Sequence, residues 1–155
     1  MKIGILFPGQ GSQYQGMGRG LYDEQPLVRE YFQRARAQIG CDVRALCFDT
    51  SDELLRTTLN AQLSLFVLSS ALYQALIART GLAPVLVAGH SSGEYAALCA
   101  AGAFTFEHGM QLIQARAQVL EQATLTHEGT MRAILGLSSA VVEQLCDRYN
   151  TPDDL

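Results

Sequence analysis

A serine between two glycines is the residue of this chain whose neighbours most favour nucleophilic chemistry. Ser91 lies in Gly89-His90-Ser91-Ser92-Gly93, which follows four apolar residues, Val85 to Ala88, and leads into a segment of helical composition that ends at Gly102. A strand that turns sharply into a helix exposes the serine hydroxyl at the turn, and the flanking glycines avoid collisions with strand and helix. The pattern predicts a buried parallel strand, a strained serine and a nucleophile elbow.

The same residues also fit a plainer structure, in which Ser91 only caps the helix and Gly89 only makes a turn. In the elbow, backbone N–H groups and the helix dipole favour negative charge beside the hydroxyl. The hydroxyl also needs a base, and the chain has three histidines. His90 adjoins the serine but is expected to point to the opposite face, while His108 and His127 fit ordinary surface positions. The sequence therefore names no general base.

Two motifs in a fixed order make the chain resemble a known family. Phe7-Pro8-Gly9-Gln10-Gly11-Ser12-Gln13 and Gly89-His90-Ser91-Ser92-Gly93-Glu94 are similar to segments of the malonyl-CoA:acyl carrier protein transacylases and the acyltransferase domains of polyketide synthases. The resemblance runs from Ile3 to about Tyr149. It implies an α/β fold with a hydrolase-like parallel sheet, flanking helices and an inserted ferredoxin-like subdomain.

The resemblance also implies a reaction. Ser91 matches the nucleophile, and the backbone N–H groups of Gln10 and Ser92 match the two donors of an oxyanion hole. The implied enzyme moves a malonyl or related dicarboxylic acyl group from coenzyme A, through an acyl-serine, to the phosphopantetheine thiol of an acyl carrier protein. It implies no metal and no cofactor beyond the coenzyme A thioester substrate. The family's base histidine belongs to a C-terminal part expected beyond Leu155, on the same or another chain.

Three further residues match positions that contact the substrate in this family. Arg116 matches the arginine that binds the free carboxylate of malonyl groups, a task suited to a planar bidentate donor. From its sequence position alone, at the edge of an apolar helix face, an arginine reaches water or pairs with a structural carboxylate. His90 matches a residue lining the acyl pocket. Gln62 matches a glutamine near the active site, although a glutamine in a first helical turn is commonly a cap or solvent contact.

Two other functions remain open on sequence grounds. A serine hydrolase of the thioesterase or lipase kind has the same elbow pattern. Arg116 and the loop from Phe7 to Gln13 oppose this alternative, because simple esterases need no such arginine and the loop resembles acyltransferases. A non-catalytic fragment that only binds a carrier protein is the second alternative, and it is favoured by the missing base.

The strands and helices that position these residues are predicted from the residues that start or end helices and from the spacing of apolar residues. A first strand is predicted for Lys2 to Phe7, followed by an irregular, glycine-rich segment up to a helix that begins near Pro26 and ends at Gly40. Short helices are predicted around Cys41 to Phe48 and after Ser51. A long interior helix is predicted from about Ala61 to Thr80, because its residues are apolar on nearly every side.

The C-terminal third is predicted to carry Arg116 and then to enter a second unit. A helix from about Phe106 to Thr124 is expected to bury one apolar face. That predicted face consists of Leu112, Ile113, Val119, Leu120 and Ala123. A strand over Thr130 to Leu137 and a helix from Ser139 to about Tyr149 follow. Residues 1–128 are thus expected to form the N-terminal part of the α/β body, and residues 129–155 the incomplete beginning of the ferredoxin-like subdomain.

Composition limits the partners and the compartment. The 155 residues are 48% hydrophobic and 17% charged, which predicts a folded core. A net charge of −4 with scattered basic residues gives no support for a nucleic-acid partner. The four cysteines have no C-x-x-C spacing, which favours free buried thiols in a reducing cytosol. The uncharged stretch from Ala61 to Ala78 contains polar side chains that argue against a membrane span.

Overall fold

The computed structural model describes residues 2–126 and 134–150 as a helix-rich α/β protein with a small parallel sheet. In chain order the elements are β1 (Gly4–Phe7), α1 (Arg19–Glu24), α2 (Pro26–Ile39), α3 (Val43–Phe48), α4 (Asp52–Leu55), α5 (Thr58–Thr80), β2 (Leu86–Gly89), α6 (Gly93–Ala100), α7 (Phe106–Thr126) and α8 (Ser139–Tyr149). The two strands pair in parallel, with Phe7 opposite Gly89. This register brings the loop after β1 and the turn after β2 to the same edge of the sheet.

Helix α5 is the centre of the core. Every residue from Ala61 to Ala71 is buried, and α2, α3, α6 and α7 all pack against this helix. It ends, as predicted, at Thr80, and the next residue, Gly81, has a left-handed φ of 64°. Of the helices that the structure describes, α5 is long and apolar enough to cross a membrane, but 61% of its most apolar 18-residue stretch is buried within the protein. Its uniform apolarity matches this central position.

Aromatic packing fixes α7 on α2 and α5. Phe106 stacks on Phe66 of α5 with ring centroids 5.5 Å apart and meets Tyr31 of α2 edge-on at 4.7 Å. Gly109 makes this approach possible, since a Cβ atom there would lie 2.4 Å from the Phe66 ring. The N-terminal half of α7 is therefore held firmly, and Arg116 follows it along the same helix.

Helix α1 lies in the segment that was predicted to be irregular. It follows Gly18, which has a φ of 78°, and contains no fully buried residue. Tyr22 nevertheless packs edge-on against Phe32 at 5.4 Å and Phe48 at 5.3 Å. The prediction was wrong here because tertiary contacts of one aromatic ring outweigh the low helix propensity of a glycine-rich segment.

The strands are less buried than their apolar sequences predict. One face of the sheet packs inward through Phe7, whose ring lies 5.8 Å from that of Tyr73 on α5. On the other face Leu6 is 78% exposed and Leu86 is 60% exposed. Within the described residues, helices cover one face of the sheet and leave the other open. The expected burial on both faces is thus not what the structure shows.

The buried face of α7 also differs from the predicted one. Of the predicted residues Ile113 is fully buried, Leu120 is half-buried, and Leu112, Val119 and Ala123 are exposed. The buried residues are Phe106, Gly109, Met110, Ile113 and Ala117. These follow the regular i, i+3, i+4 helical spacing, whereas the prediction mixed this stripe with a second apolar stripe on the solvent side.

The cysteines are free thiols in different surroundings. Cys47 is buried, Cys41 and Cys99 are half-buried, and Cys146 is exposed. Burial raises the pKa of the Cys47 thiol to about 11, so this side chain stays protonated at neutral pH. The structure agrees with the expectation that the thiols are free. The expectation that all four are buried is wrong, since Cys146 is exposed.

The C-terminal region is described in part. Helix α8 has the predicted bounds, and none of its residues is buried. Residues 134–137 do not form a strand. The remainder of the strand predicted for Thr130 to Leu137 lies outside the described residues, as does His127.

Candidate active site

The backbone at Ser91 has the strain that the elbow pattern predicts. Its φ is 52°, and among the residues that the structure describes it is the only non-glycine with a positive φ. A Cβ atom at Gly89 would lie 2.1 Å from the carbonyl carbon of Gly93, and one at Gly93 would lie 2.4 Å from the Phe7 carbonyl oxygen. Both glycines are required, because strand, turn and helix approach closely at this point.

The turn is fastened to the end of β1 by its backbone. The His90 N–H donates to the Phe7 carbonyl at 3.0 Å, and the Gly93 N–H donates to the His90 carbonyl at 2.9 Å. Gly9 packs on the same carbonyl, since a Cβ atom there would lie 2.4 Å from the His90 oxygen. The loop after β1 and the elbow after β2 therefore form one unit, although more than 70 residues separate them in sequence.

Arg116 reaches the elbow from α7. Its Nη2 donates to Ser91 Oγ at 3.3 Å and its Nη1 donates to Gln62 Oε1 at 2.5 Å. The guanidinium also lies over the Tyr95 ring, 5.9 Å from its centroid. Within residues 2–126 and 134–150 it has no ion-pair partner, so the pairing with a structural carboxylate that sequence alone suggested is not seen. A positive charge without a carboxylate partner beside a serine hydroxyl can hold an anionic acyl group.

Gln62 connects Arg116 to the loop after β1. The side chain is fully buried, and its Nε2 donates to Gln10 Oε1 at 3.4 Å while its Oε1 accepts from Arg116. The plainer sequence interpretation, a cap or solvent contact in a first turn, is wrong, because α5 begins at Thr58 and places this side chain in the interior. Gln10, Gln62, Arg116 and Ser91 thus form a continuous hydrogen-bonded chain.

Two backbone donors in the loop after β1 and in the elbow have no hydrogen-bond partner within the described residues. Among the described residues, the N–H groups of Gln10 and Ser92 make no hydrogen bond. Ser92 is buried, and its hydroxyl also has no partner within the described part of the chain. Free N–H groups at the end of β1 and at the start of α6 are what a developing oxyanion requires.

No histidine in the described part of the chain forms a hydrogen bond with the Ser91 hydroxyl. His90 and His108 are both exposed, and Ser91 Oγ has Arg116 as its hydrogen-bond partner there. An arginine keeps its proton in proteins, so Arg116 cannot accept the serine proton. The described residues therefore supply a nucleophile, a cation and free N–H donors but no general base.

Sequence reasoning overlooked Tyr95. This residue lies in the first turn of α6, which begins at Gly93 just after the elbow. The ring of Tyr95 forms a surface under the Arg116 guanidinium. No local sequence signal marks this contact, because it depends on how α7 lies against α6.

An ion pair between α2 and α7 supports the helix that carries Arg116. Arg34 Nη2 lies 2.7 Å from Glu107 Oε1, and the guanidinium covers the rings of Tyr31 and Phe106 at 4.7 and 5.0 Å. Burial by itself would raise the pKa of Glu107, but several favourable interactions, led by the hydrogen bond from Arg34, together outweigh burial and lower that pKa. Burial would likewise lower the pKa of Arg34, but the hydrogen bond to Glu107, the charge of that carboxylate and the interactions with Tyr31 together raise it.

Comparison with known proteins gives consistent matches over nearly all of the chain. A family profile described as the acyl transferase domain matches residues 5–152. The malonyl CoA-acyl carrier protein transacylase of Bacillus subtilis strain 168 is 37% identical over 154 residues, which cover 99% of this chain and 48% of that protein. The chain spans about half the length of the curated relatives it matches.

Solved structures match at the level of the fold as well. The malonyl CoA-acyl carrier protein transacylase from Coxiella burnetii superimposes with a TM-score of 0.90 at 39% identity, over 96% of this chain and 47% of that one. A malonyl-transacylase solved in complex with a type II polyketide synthase acyl-carrier protein superimposes with a TM-score of 0.85 at 31% identity, over 96% and 48%.

Proposed function

The chain belongs to the acyl transferase domain family, and from this premise we propose that it forms the nucleophile and carboxylate-binding side of a malonyl transfer site. The proposed reaction moves a malonyl or related dicarboxylic acyl group from coenzyme A to the phosphopantetheine thiol of an acyl carrier protein. One observation carries the proposal. Arg116, which has no carboxylate partner among the described residues, places its guanidinium 3.3 Å from the hydroxyl of the strained Ser91.

In the first half-reaction Ser91 Oγ attacks the thioester carbonyl of the acyl donor. The new Oγ–C bond forms while a base from outside the described residues takes the hydroxyl proton. The N–H groups of Gln10 and Ser92 are the proposed donors to the oxyanion, and its collapse expels the thiolate of coenzyme A. An acyl-serine remains.

In the second half-reaction the carrier thiol attacks the acyl-serine carbonyl. The thioester bond forms, the Oγ–C bond breaks and Ser91 recovers its proton. Arg116 is proposed to bind the free carboxylate throughout, exchanging its contact with Ser91 Oγ for a charged partner, while Gln62 retains the other guanidinium nitrogen. His90 is proposed to line the acyl pocket.

Arg116 also distinguishes this proposal from a serine hydrolase. The acyl group of a simple ester has no free carboxylate, so a hydrolase gains nothing from a half-buried guanidinium that has no ion-pair partner in the described part of the chain. A transferase must in addition exclude water from the acyl-serine. The remaining alternative, a fragment that only binds a carrier protein, leaves the strain at Ser91 without a purpose.

Further properties are proposed on the resemblance alone. The sheet is proposed to be part of a hydrolase-like parallel sheet, with a body over residues 1–128 and the start of a ferredoxin-like subdomain over 129–155. The rest of the site, including the base histidine, is proposed to come from a C-terminal half on the same or another chain. The proposed enzyme is cytoplasmic, needs no cofactor or metal beyond its coenzyme A thioester, and has no nucleic-acid or membrane partner.

The test uses the native assembly, meaning the natural polypeptide or complex in which these residues occur. It is incubated with malonyl-CoA and a phosphopantetheinylated carrier protein, and intact mass spectrometry follows both proteins. Malonyl groups on the enzyme and then on the carrier are expected. Release of free malonate without carrier product would identify a hydrolase, and carrier binding without any adduct would identify a binding fragment.

A further inference from the structure

The N-terminus of α5 is capped by a residue of another helix. Thr57 occupies the cap position but makes no side-chain capping bond, and its hydroxyl donates to the Leu54 carbonyl at 3.0 Å instead. The N–H of Leu59, in the first turn, donates to Glu121 Oε1 of α7 at 3.2 Å. A carboxylate at this place satisfies a free N–H group and interacts favourably with the helix dipole.

This cap lies next to the polar contact that positions Arg116. Leu59 precedes Gln62 by three residues on α5, and Glu121 follows Arg116 by five residues on α7. The two helices run in opposite directions. The earlier residue on α5, Leu59, contacts the later residue on α7, Glu121, whereas Gln62 contacts Arg116. The pair is therefore bridged twice, about one turn apart, once by the guanidinium itself and once by the Glu121 carboxylate.

Apolar packing does not hold this part of α7 by itself. The last fully buried residue of the helix is Ala117, and Val119 is 65% exposed. Arg116 thus lies where the buried face of α7 ends. Beyond it, the hydrogen bond from the Leu59 N–H to the Glu121 carboxylate connects α7 to α5. A small rotation or slide of the helix there would move the guanidinium away from Gln62.

We propose that Glu121 is a positioning residue for Arg116, which fixes the register of α7 against the first turns of α5 and thereby holds the guanidinium on Gln62 and Ser91. The geometric part of this inference stands on the hydrogen bonds alone. Its effect on acyl selectivity rests on the proposed function, so the test has one readout for each part.

The geometric readout is the side-chain NMR spectrum of Arg116 in the ¹⁵N-labelled native assembly. A guanidinium held by Gln62 rotates slowly and gives separate Nη–H signals. Glu121→Ala should average these signals. Glu121→Gln keeps an acceptor oxygen and should leave them separate. Gln122→Ala, an exposed neighbour on α7, is the control and should change nothing. Separate signals in Glu121→Ala would overturn the proposal.

A second substitution separates positioning from capping. Glu121→Ala should lower the thermal midpoint by about 2–4 °C through loss of the cap. Adding Thr57→Asp supplies a cap within α5 and should restore the midpoint, because Asp is a stronger cap than Thr. The Arg116 signals should remain averaged in the double variant. Recovery of separate signals together with stability would show that Glu121 is only a cap, and would overturn the proposal.

The catalytic readout is the ratio of malonyl to acetyl loading on Ser91 by intact mass. Glu121→Ala, alone or with Thr57→Asp, should lower this ratio roughly ten- to hundredfold, while Glu121→Gln should retain it. Averaged Arg116 signals with an unchanged ratio would overturn the catalytic part. A wild-type assembly that forms no acyl adduct would instead refute the proposed function, and the NMR comparison would still decide whether Glu121 positions Arg116.

Discussion

The backbone strain at Ser91 and the two glycines around it have a single cause. Gly93 lies against the end of β1 and Gly89 lies against the start of α6, so any side chain at either position would force the elements apart. Between these two close approaches the chain passes from strand to helix through the left-handed conformation at the serine. The hydroxyl is thereby presented outward beside a helix N-terminus.

Replacing Ser91 and Ser92 separately tests which hydroxyl is the nucleophile. Ser91→Ala in the native assembly should abolish the covalent malonyl adduct, because only this serine occupies the strained turn. Ser92→Ala should keep the adduct and should not lower the thermal midpoint, since the buried Ser92 hydroxyl has no partner in the described structure. Intact mass and a thermal melt measure both. Loss of the adduct in Ser92→Ala alone would contradict the elbow register.

Replacing Arg116 tests the binding of the acyl carboxylate. Arg116→Ala should slow malonyl loading by about 2–4 kcal/mol in activation free energy, because the carboxylate would lose a charged, hydrogen-bonded partner. Acetyl loading should change much less, since acetyl-CoA has no such charge. Single-turnover loading rates for the two thioesters give the comparison.

The control for Arg116 is a change that keeps the charge. Arg116→Lys retains a cation but cannot contact Gln62 and Ser91 with two separate nitrogens on one plane, so an intermediate loss of malonyl loading is expected. Equal slowing of malonyl and acetyl loading in Arg116→Ala would assign this residue a structural role.

At the scale of elements, single proline and glycine residues predicted where helices begin and end. Pro26 opens α2, and Gly40, Gly81 and Gly102 take the positive φ values that terminate helices. These signals are local, so one sequence suffices to detect them. The face that α7 buries was predicted wrongly, because it depends on which of two apolar stripes meets α5.

The ion pair between α2 and α7 predicts a pH dependence of stability. The pKa of Glu107 is lowered in the folded protein, so its contribution to stability is present above the unfolded value of about 4.3 and is lost as the pH falls through the lowered folded value. Glu107→Gln should therefore lower the thermal midpoint at neutral pH, and the gap to wild type should narrow below about pH 4. Melts from pH 3 to 7 measure this.

A matched substitution controls for charge alone. Glu30 lies 3.9 Å from Arg34 in a more exposed pair, so Glu30→Gln should change the midpoint less than Glu107→Gln at neutral pH. Because both side chains of the Arg34–Glu107 pair are about a third exposed, solvent screening keeps the effect modest. A gap that widens toward low pH would contradict the assignment.

At the scale of the whole molecule, the site depends on contacts that no local pattern encodes. Gln62 and Arg116 are 54 residues apart, and Glu121 and Leu59 are 62 apart, yet these pairs place the guanidinium beside the elbow. The sequence identified Ser91 and Arg116 because glycine spacing and family motifs mark them. It could not identify Glu121 or the burial of Gln62, because these follow from how α5 and α7 pack against each other.

The open face of the sheet leads to a prediction about the chain made by itself. Leu6 and Leu86 are largely exposed on one face of the parallel pair, and an apolar surface of this kind binds dyes that fluoresce in apolar surroundings. Residues 1–155 alone should therefore bind such a dye, and Leu6→Gln with Leu86→Gln should reduce the signal without lowering the thermal midpoint. Leu63→Gln, at a fully buried site in α5, is the contrast and should destabilise strongly.

The same two substitutions should behave differently in the native assembly if that assembly covers this face. There the two glutamine amides would be buried against an apolar surface without hydrogen-bond partners, so the thermal midpoint should fall. Dye binding by the wild-type assembly should be weak. Dye fluorescence and melts on the short chain and the native assembly, each with and without the substitutions, complete the experiment. A native assembly that binds dye as strongly as the short chain and tolerates both glutamines would show that the face stays open to solvent in the working protein.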